Sequence, residues 1–161
     1  MMSRRLFIGS FLIILFLSTN SFPEEKAQRP KGSLVITSET LTADNNAHTA
    51  LFEKSVVART TNKTLYADRM LVFYDPETGN MTKAEAKGNV KYVVETNNGS
   101  RVITSTEATY YADDEKVIFT GEPRATDGEN VVTGTQITYL VNEDRYLVEK
   151  SKVFLKKKNT Q

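Results

Sequence analysis

Alternation of polar and apolar residues, interrupted at intervals by turn-forming residues, is the feature that most restricts the fold of this chain. From Ser33 onward Thr, Val, Ile, Tyr and Phe dominate, and breaks recur at residues 44–46, 61–63, 75–80, 97–99, 113–114, 127–128 and 142–144. Alternation between such breaks is typical of antiparallel strands joined by hairpins. No convincing helical stripe runs longer than two turns. Seven breaks therefore predict eight strands and an all-β fold.

Two motifs recur along these strands. The copies of the first motif are Ile36-Ser38-Leu41-Ala43, Leu65-Ala67-Met70-Val72, Ile103-Ser105-Ala108-Tyr110 and Val132-Gly134-Ile137-Tyr139. The second motif lies between these copies, at residues 50–56, 84–90 and 117–123 and, less clearly, 146–153. The two middle residues of the first motif are three positions apart, which would place them on opposite faces of a regular strand, so a bulge is needed to keep both halves pointing inward. We therefore predict kinked strands alternating with straighter ones, in two sheets folded onto each other around an apolar trough.

Many of the inward positions carry small residues. They are Ala43, Ala67, Ala84, Ala86, Ser105, Ala108 and Gly134. A close-packed interior of this length normally contains more bulk. The small residues either leave room for a ligand or let the two sheets approach each other, and the pattern does not separate these readings. A trough filled entirely by its own side chains, as an ordinary core, also remains open.

The amino terminus has the features of an export signal. Arg4 and Arg5 precede an apolar run at residues 6–17. A helix of that length is about 18 Å long, which is short against a hydrocarbon core of roughly 30 Å. The small residues Thr19 and Ser21 then predict cleavage after Ser21 and a periplasmic protein. The alternative is an uncleaved membrane anchor. We expect residues 22–32 to form a flexible lead-in, 33–156 the β domain, and 157–161 a basic tail.

Composition excludes several classes of function. The absence of cysteine removes disulfides, thiol catalysis and thiolate metal sites, and a single histidine, His48, argues against a histidine-built zinc site. Cleavage at Ser21 leaves 19 basic and 20 acidic residues, so the mature chain is nearly neutral. It therefore has no strong electrostatic field that would recruit nucleic acid. No catalytic or metal-binding set of residues emerges. We therefore predict neither an enzyme nor a bound cofactor.

Several of these segments resemble the recurring element of the LptA, or OstA-like, family. They are residues 65–75, 86–90, 117–123 and 134–141, which read LYADRMLVFYD, AKGNV, VIFTGEP and GTQITYLV. The resemblance extends over residues 33–149. At Glu53-Lys54-Ser55 the chain departs from the Gly-Asn pair that is usual in this family, which leaves the geometry of that turn open.

The resemblance implies an open, antiparallel β-jellyroll whose apolar trough shields the acyl chains of lipopolysaccharide while it crosses between the two membranes. It also implies an LptC-like inner-membrane protein and an LptD-like outer-membrane protein as partners. Together with the inward register it predicts a lipid-binding trough formed by Leu34, Ile36, Leu41, Phe52, Leu65, Met70, Val72, Val90, Ile103, Tyr110, Phe119, Ile137 and Tyr139.

Three other functions compete with this interpretation. The first is a membrane-tethered, LptC-like adaptor of the same fold, and the second is a structural β-scaffold with a closed core. The third is a secreted, carbohydrate-active β-sandwich, against which the absence of tryptophan argues.

The terminal strands predict head-to-tail self-association. Residues 33–38 form a first strand without charge or proline, and the last strand, at residues 146–155, is only partly protected by Lys150 and Lys152. Unprotected strand edges are sites at which another chain can add a strand. The alternative is that residues 22–32 cover the first edge and keep the protein monomeric.

Overall fold

The structure, a computed structural model, describes residues 33–97 and 99–155. The predicted export signal, lead-in and basic tail lie outside the described residues. Within the described ranges no helix is long and apolar enough to cross a membrane. The strands in those ranges are β1 (Val35–Thr37), β2 (Thr40–Asp44), β3 (Thr49–Arg59), β4 (Lys63–Tyr74), β5 (Met81–Thr96), β6 (Gly99–Tyr111), β7 (Lys116–Thr120), β8 (Arg124–Asp127), β9 (Asn130–Thr133), β10 (Gln136–Leu140), β11 (Arg145–Glu149) and β12 (Lys152–Phe154).

The seven predicted breaks all coincide with connections between antiparallel strands. Eight predicted strands become twelve because four of them are interrupted midway, which separates β1 from β2, β7 from β8, β9 from β10, and β11 from β12. Every strand pairing is antiparallel. The prediction of an all-β, antiparallel jellyroll is therefore confirmed.

Two half-sheets share the long strands β3 to β6, which run through both. The first half-sheet extends from β2 on one edge to β7, β10 and β11 on the other, and the second extends from β1 to β8, β9 and β12. The division is visible within β6, which pairs with β8 up to Thr104 and with β7 from Glu107 onward. The two half-sheets fold onto each other along this line and enclose the apolar interior.

The bend crosses every strand, including those expected to be straighter. Strand β3 shifts register between Glu53 and Val56, and β5 shifts between Lys87 and Val90. Ladder hydrogen bonds hold neighbouring strands about 4.8 Å apart, so a strand cannot bend without its partners. Alternation of kinked and straighter strands was therefore the wrong expectation in detail, and the kink is a continuous corner across the sheet.

Left-handed backbone forms this corner in the copies of the second motif. Gly88 and Asn89 have φ values of 77° and 46°, and the equivalent Gly121 has a φ of 74°. Lys54 and Ser55 adopt the same conformation, with φ values of 65° and 52°, although neither is glycine. The left-handed region costs an ordinary L-residue about 1–2 kcal/mol. The departure from the family pattern at this turn therefore leaves the backbone geometry unchanged and adds strain.

A polar side chain of the neighbouring chain segment faces each left-handed pair. Asn89 donates a 2.8 Å hydrogen bond from Nδ2 to Oδ2 of Asp68. Ser55 donates through Oγ to Oε1 of Glu39 at 3.1 Å. At Gly121, the hydroxyl of Thr106 donates a 3.0 Å hydrogen bond from Oγ1 to the carbonyl oxygen of Gly121. Each of these facing residues follows the small residue of a first-motif copy. The two motifs therefore contact each other at the corner of the sheet.

Inward-facing residues align in rows across the strands. In the first half-sheet one row contains Leu41, Phe52, Met70, Ala86, Ala108, Phe119, Ile137 and Val148. In the second half-sheet the matching row contains Ile36, Ala58, Leu65, Tyr92, Ile103, Ala125, Val132 and Val153. Residues near the middle of these rows form the buried core, whereas the ends reach the open edges of the half-sheets.

Candidate lipid-binding trough

An apolar cavity of about 260 Å³ lies between the two half-sheets on the side of β1, β3, β4 and β5. Three alanines of the first half-sheet, Ala84, Ala86 and Ala108, line it, with Ala58 on the opposite side. These small side chains create the space, because larger ones at the same inward positions would fill it. The other lining residues are Leu34, Ile36, Thr60, Lys63, Leu65, Met70, Met81, Tyr92, Tyr110, Val117 and Val141.

A small residue has the opposite effect at Gly134. A Cβ atom at this position would lie 2.4 Å from the carbonyl oxygen of Glu149. Here the missing side chain lets two strands approach closely, next to the interruption between β9 and β10. The two readings of the small residues therefore apply to different positions, with room for a ligand at Ala84, Ala86 and Ala108 and close approach of the backbone at Gly134.

The interior is solid on the far side of the cavity. Phe119, Ile137 and Tyr139 are fully buried, and the ring of Tyr92 lies 5.6 Å from the rings of both Phe119 and Tyr139. Burial raises the pKa of the Tyr139 hydroxyl, and its hydrogen bond to the Asp144 carboxylate adds to that rise. The trough is thus open around Ala58, Ala84 and Ala86 and closed around Phe119, Ile137 and Tyr139.

A network of ion pairs and hydrogen bonds around Arg101 and Asp144 covers the closed side of the trough. Nη1 of Arg101, on the second half-sheet, lies 3.0 Å from Oδ1 of Asp144, in the turn after β10 of the first half-sheet. The same carboxylate oxygen accepts a 2.8 Å hydrogen bond from the Tyr139 hydroxyl. Nε of Arg101 also lies 3.3 Å from Oδ2 of Asp127, and its guanidinium stands 5.6 Å from the centre of the Tyr146 ring. These contacts tie the two half-sheets together across the mouth of the interior.

No group of His, Cys, Asp or Glu that could hold a metal ion occurs in residues 33–97 and 99–155. The buried core in those ranges is entirely apolar apart from the tyrosine hydroxyls. The arrangement is suited to holding a hydrocarbon chain.

Comparison with known proteins places this fold in a family. The model of the family described as the LptA/(LptD N-terminal domain) LPS transport protein matches residues 35–145. The chain belongs to this LptA family. It is accordingly a lipopolysaccharide transport protein rather than an enzyme. The resemblance found in the sequence is confirmed.

A solved structure shows the same architecture. It is the crystal structure of LptH, described as the LptA homologous periplasmic component of the conserved lipopolysaccharide transport device from Pseudomonas aeruginosa. The two chains share 11% identity with a TM-score of 0.69, over 78% of this chain and 96% of LptH. No curated protein sequence matches the chain. The structural likeness at this identity concerns the fold.

The LptA-family match includes every residue that lines the cavity except Leu34. Five of the thirteen predicted trough residues line the cavity, and they are Leu34, Ile36, Leu65, Met70 and Tyr110. Six others are buried in the solid part of the interior, and they are Val72, Val90, Ile103, Phe119, Ile137 and Tyr139. Contact of these residues with lipid remains a prediction.

The last two predicted residues, Leu41 and Phe52, lie outside the cavity. Both point to the inner face at the β2 edge of the first half-sheet, where Leu41 is 59% exposed. They extend the apolar surface from the cavity to the edge of the sheet. Exposure of Leu41 follows from its edge position, because the end of the second half-sheet does not cover it.

The sequence interpretation missed Arg101 and Lys63. Both occupy the inner face, since Arg101 precedes Ile103 by two residues and Lys63 precedes Leu65 by two. The signal was therefore present in the alternation itself. The predicted turn at residues 61–63 includes Lys63, whereas Arg101 lies beyond the predicted turn at residues 97–99 and was not assigned to a face.

Proposed function

We propose that this protein is a periplasmic carrier that binds lipopolysaccharide and shields its acyl chains in the trough. The observation that carries the proposal is the apolar cavity lined by Ala84, Ala86 and Ala108 and open to one side. Each methylene that leaves water for such a surface contributes about 0.8 kcal/mol. The family supplies the ligand, and the cavity supplies the surface on which its hydrocarbon part would lie.

Partial enclosure fits a carrier that must release its ligand. The cavity of about 260 Å³ is slightly smaller than the roughly 300–1,000 Å³ of pockets that enclose a drug-sized ligand. A lipid with several acyl chains therefore extends beyond it, over Leu34 and toward Leu41 at the edge, while sugars and phosphates stay in solvent. The solid side of the interior limits how many chains enter at once.

A pair of neighbouring tyrosines allows a matched test of this site. Tyr110 lines the cavity, whereas Tyr111 lies on the outer face of the same strand and is exposed. We expect a photo-crosslinking residue at position 110 to capture lipopolysaccharide in cells, and the same residue at position 111 not to. Equal capture at both positions, or capture at neither, would contradict the trough.

The proposed location depends on residues 1–21. Cleavage after Ser21 would release the protein into the periplasm, and the intact mass of the purified periplasmic form should then begin at Phe22. A membrane-bound form that retains residues 1–21 would support the LptC-like adaptor instead.

Bridging between membranes requires contacts at both ends of the jellyroll. Each half-sheet has one open edge at each end, formed by β1 and β2 at the start and by β11 and β12 at the finish. The finishing strands expose apolar side chains, and Leu147, Val153 and Phe154 are each about half exposed. Pairing the finishing strands of one molecule with the starting strands of the next, or with an LptC-like or LptD-like jellyroll, would align the troughs.

Substitution of Val35 by proline tests this joint, since proline cannot donate a hydrogen bond from an edge strand. We expect Val35→Pro to weaken concentration-dependent assembly in light scattering and to weaken recovery of the membrane partners, with the circular dichroism spectrum retained. If both measurements are unchanged, β1 is not a joint.

A further inference from the structure

Among the described residues that line the cavity, Lys63 is the one that carries a charge. It begins β4 on the inner face of the second half-sheet and stands directly opposite Val94, which in turn stands opposite Arg101. Lys63 and Arg101 thus lie in one row, about 10 Å apart across two strand spacings. This row forms the rim of the trough on the side of the second half-sheet.

The two cations of this rim differ in their partners. Arg101 is held by the carboxylates of Asp127 and Asp144. No carboxylate of residues 33–97 and 99–155 lies within 4.0 Å of the Lys63 ammonium, and no acidic residue in those ranges lines the cavity. Lys63 is half-buried as a residue and lies beside an apolar surface, and an anion placed against its ammonium would form a charge-assisted hydrogen bond.

We infer that Lys63 forms the headgroup subsite of the trough and binds the phosphate of an anionic lipid whose hydrocarbon chain occupies the cavity. This inference rests on the proposed function and adds the part of the ligand that the rim recognises. The hydroxyl of Thr60, which also lines the cavity, donates to the carbonyl oxygen of Lys63 at 3.4 Å, and by rotating it could donate to the phosphate instead. Apolar lining, together with one rim cation that has no carboxylate partner among the described residues, matches a ligand with one charged end.

Lys63 can be changed without disturbing the fold around it. Its carbonyl oxygen accepts a 2.9 Å hydrogen bond from the Thr60 amide, and this contact involves only the backbone. Lys63→Met keeps the aliphatic stem and removes the charge. Lys91→Met is the matched control, because Lys91 lies on the outer face of the adjacent strand, with its ammonium 5.9 Å from the centre of the Tyr66 ring.

Calorimetric titration with two ligands of equal chain length tests the subsite. Dodecyl phosphate carries the proposed headgroup, and dodecyl maltoside carries the same chain without charge. We expect Lys63→Met to weaken dodecyl phosphate binding about tenfold or more and to leave dodecyl maltoside binding within twofold. Lys91→Met should change neither. Equal loss of both ligands in Lys63→Met, or no loss of dodecyl phosphate, would overturn the inference.

Inorganic phosphate separates a lipid headgroup site from a site for free anions. We expect inorganic phosphate to compete with dodecyl phosphate only at concentrations far above the dissociation constant of the lipid, because the chain supplies much of the affinity. Competition at similar concentrations would exclude a headgroup site. Failure of the wild-type protein to capture lipopolysaccharide would refute the proposed function, whereas the comparison between Lys63→Met and wild type would still decide the role of Lys63.

Discussion

Replacing Gly88 with alanine tests how much the left-handed corner and the carboxylate that faces it contribute to stability. Gly88 has a φ of 77°, and a Cβ atom there would lie 2.3 Å from Oδ2 of Asp68. The left-handed backbone costs alanine about 1–2 kcal/mol. The Asp68 side chain must also move away from Asn89, which forfeits a hydrogen bond of about 0.5–1.5 kcal/mol. After the reduced entropy of the unfolded chain is taken into account, we expect a total loss of about 1.5–2.5 kcal/mol.

Gly79 provides a control for the backbone contribution. Its φ is 69°, and no atom of the described part of the chain lies within 4 Å of a Cβ built there. Gly79→Ala should therefore cost only the backbone part, about 1 kcal/mol after the reduced entropy of the unfolded chain is taken into account. Both free energies of unfolding are measurable by urea denaturation followed by circular dichroism.

The double variant Gly88→Ala/Asp68→Ala isolates the clash. When the Asp68 carboxylate is absent, Gly88→Ala should lower the free energy of unfolding by about 1 kcal/mol less than it does in the wild type. The double variant should therefore lose less stability than the sum of the losses in the two single variants. If Gly88→Ala costs no more than Gly79→Ala, or if the cycle is additive, the corner does not depend on the contact between Gly88 and Asp68.

Three further predictions concern strain, packing and pH. Lys54→Gly should stabilise the protein by about 0.5–1 kcal/mol in urea denaturation, because it relieves a φ of 65°, and a loss of stability would contradict the strain. Phe119→Ala should cost about 3–5 kcal/mol, whereas Leu41→Ala in the same inward row should cost less than about 1 kcal/mol; similar losses in thermal unfolding would show that the row is covered evenly. Burial raises the pKa of the Tyr92 hydroxyl, so the folded protein keeps it neutral where the unfolded chain ionises it, and stability falls as the pH rises above about 10. Tyr92→Phe should reduce that fall between urea midpoints at about pH 9 and pH 11, and an equal fall in both proteins would argue against Tyr92 as its source.

Local chemistry predicted the strands better than it predicted the trough. Turn residues such as those at 75–80 and 142–144 act within a few positions of the chain, so the connections follow from the sequence. Alternation also identified the inward faces. It does not report the distance between two facing sheets, which depends on side-chain volumes contributed by distant strands. Ala84 and Tyr139 lie in one inward row, yet a cavity covers the first and solid core surrounds the second.

The corner illustrates the same limit. The step of three in the first motif predicted a bulge in those strands, and the bulge is present. The corner continues through β3 and β5 because hydrogen bonds join neighbouring strands of the sheet. The sequence of a single strand does not indicate this effect of its neighbours. The sequence at Glu53-Lys54-Ser55 lacks the usual glycine and still bends, because the strands on either side impose the left-handed conformation on Lys54 and Ser55.

Sheet order that follows chain order has a consequence for how this molecule resists unfolding. From β3 to β6 each strand pairs with the one that precedes it and the one that follows it. Such a chain behaves as a linear array in which each unit is held by its nearest neighbours, and units at the ends have only one. The terminal strands should therefore exchange amide hydrogens first and the central hairpin of β5 and β6 last. Joining two molecules end to end would convert two weak ends into interior units, so a growing filament would become more resistant to unfolding with each molecule added.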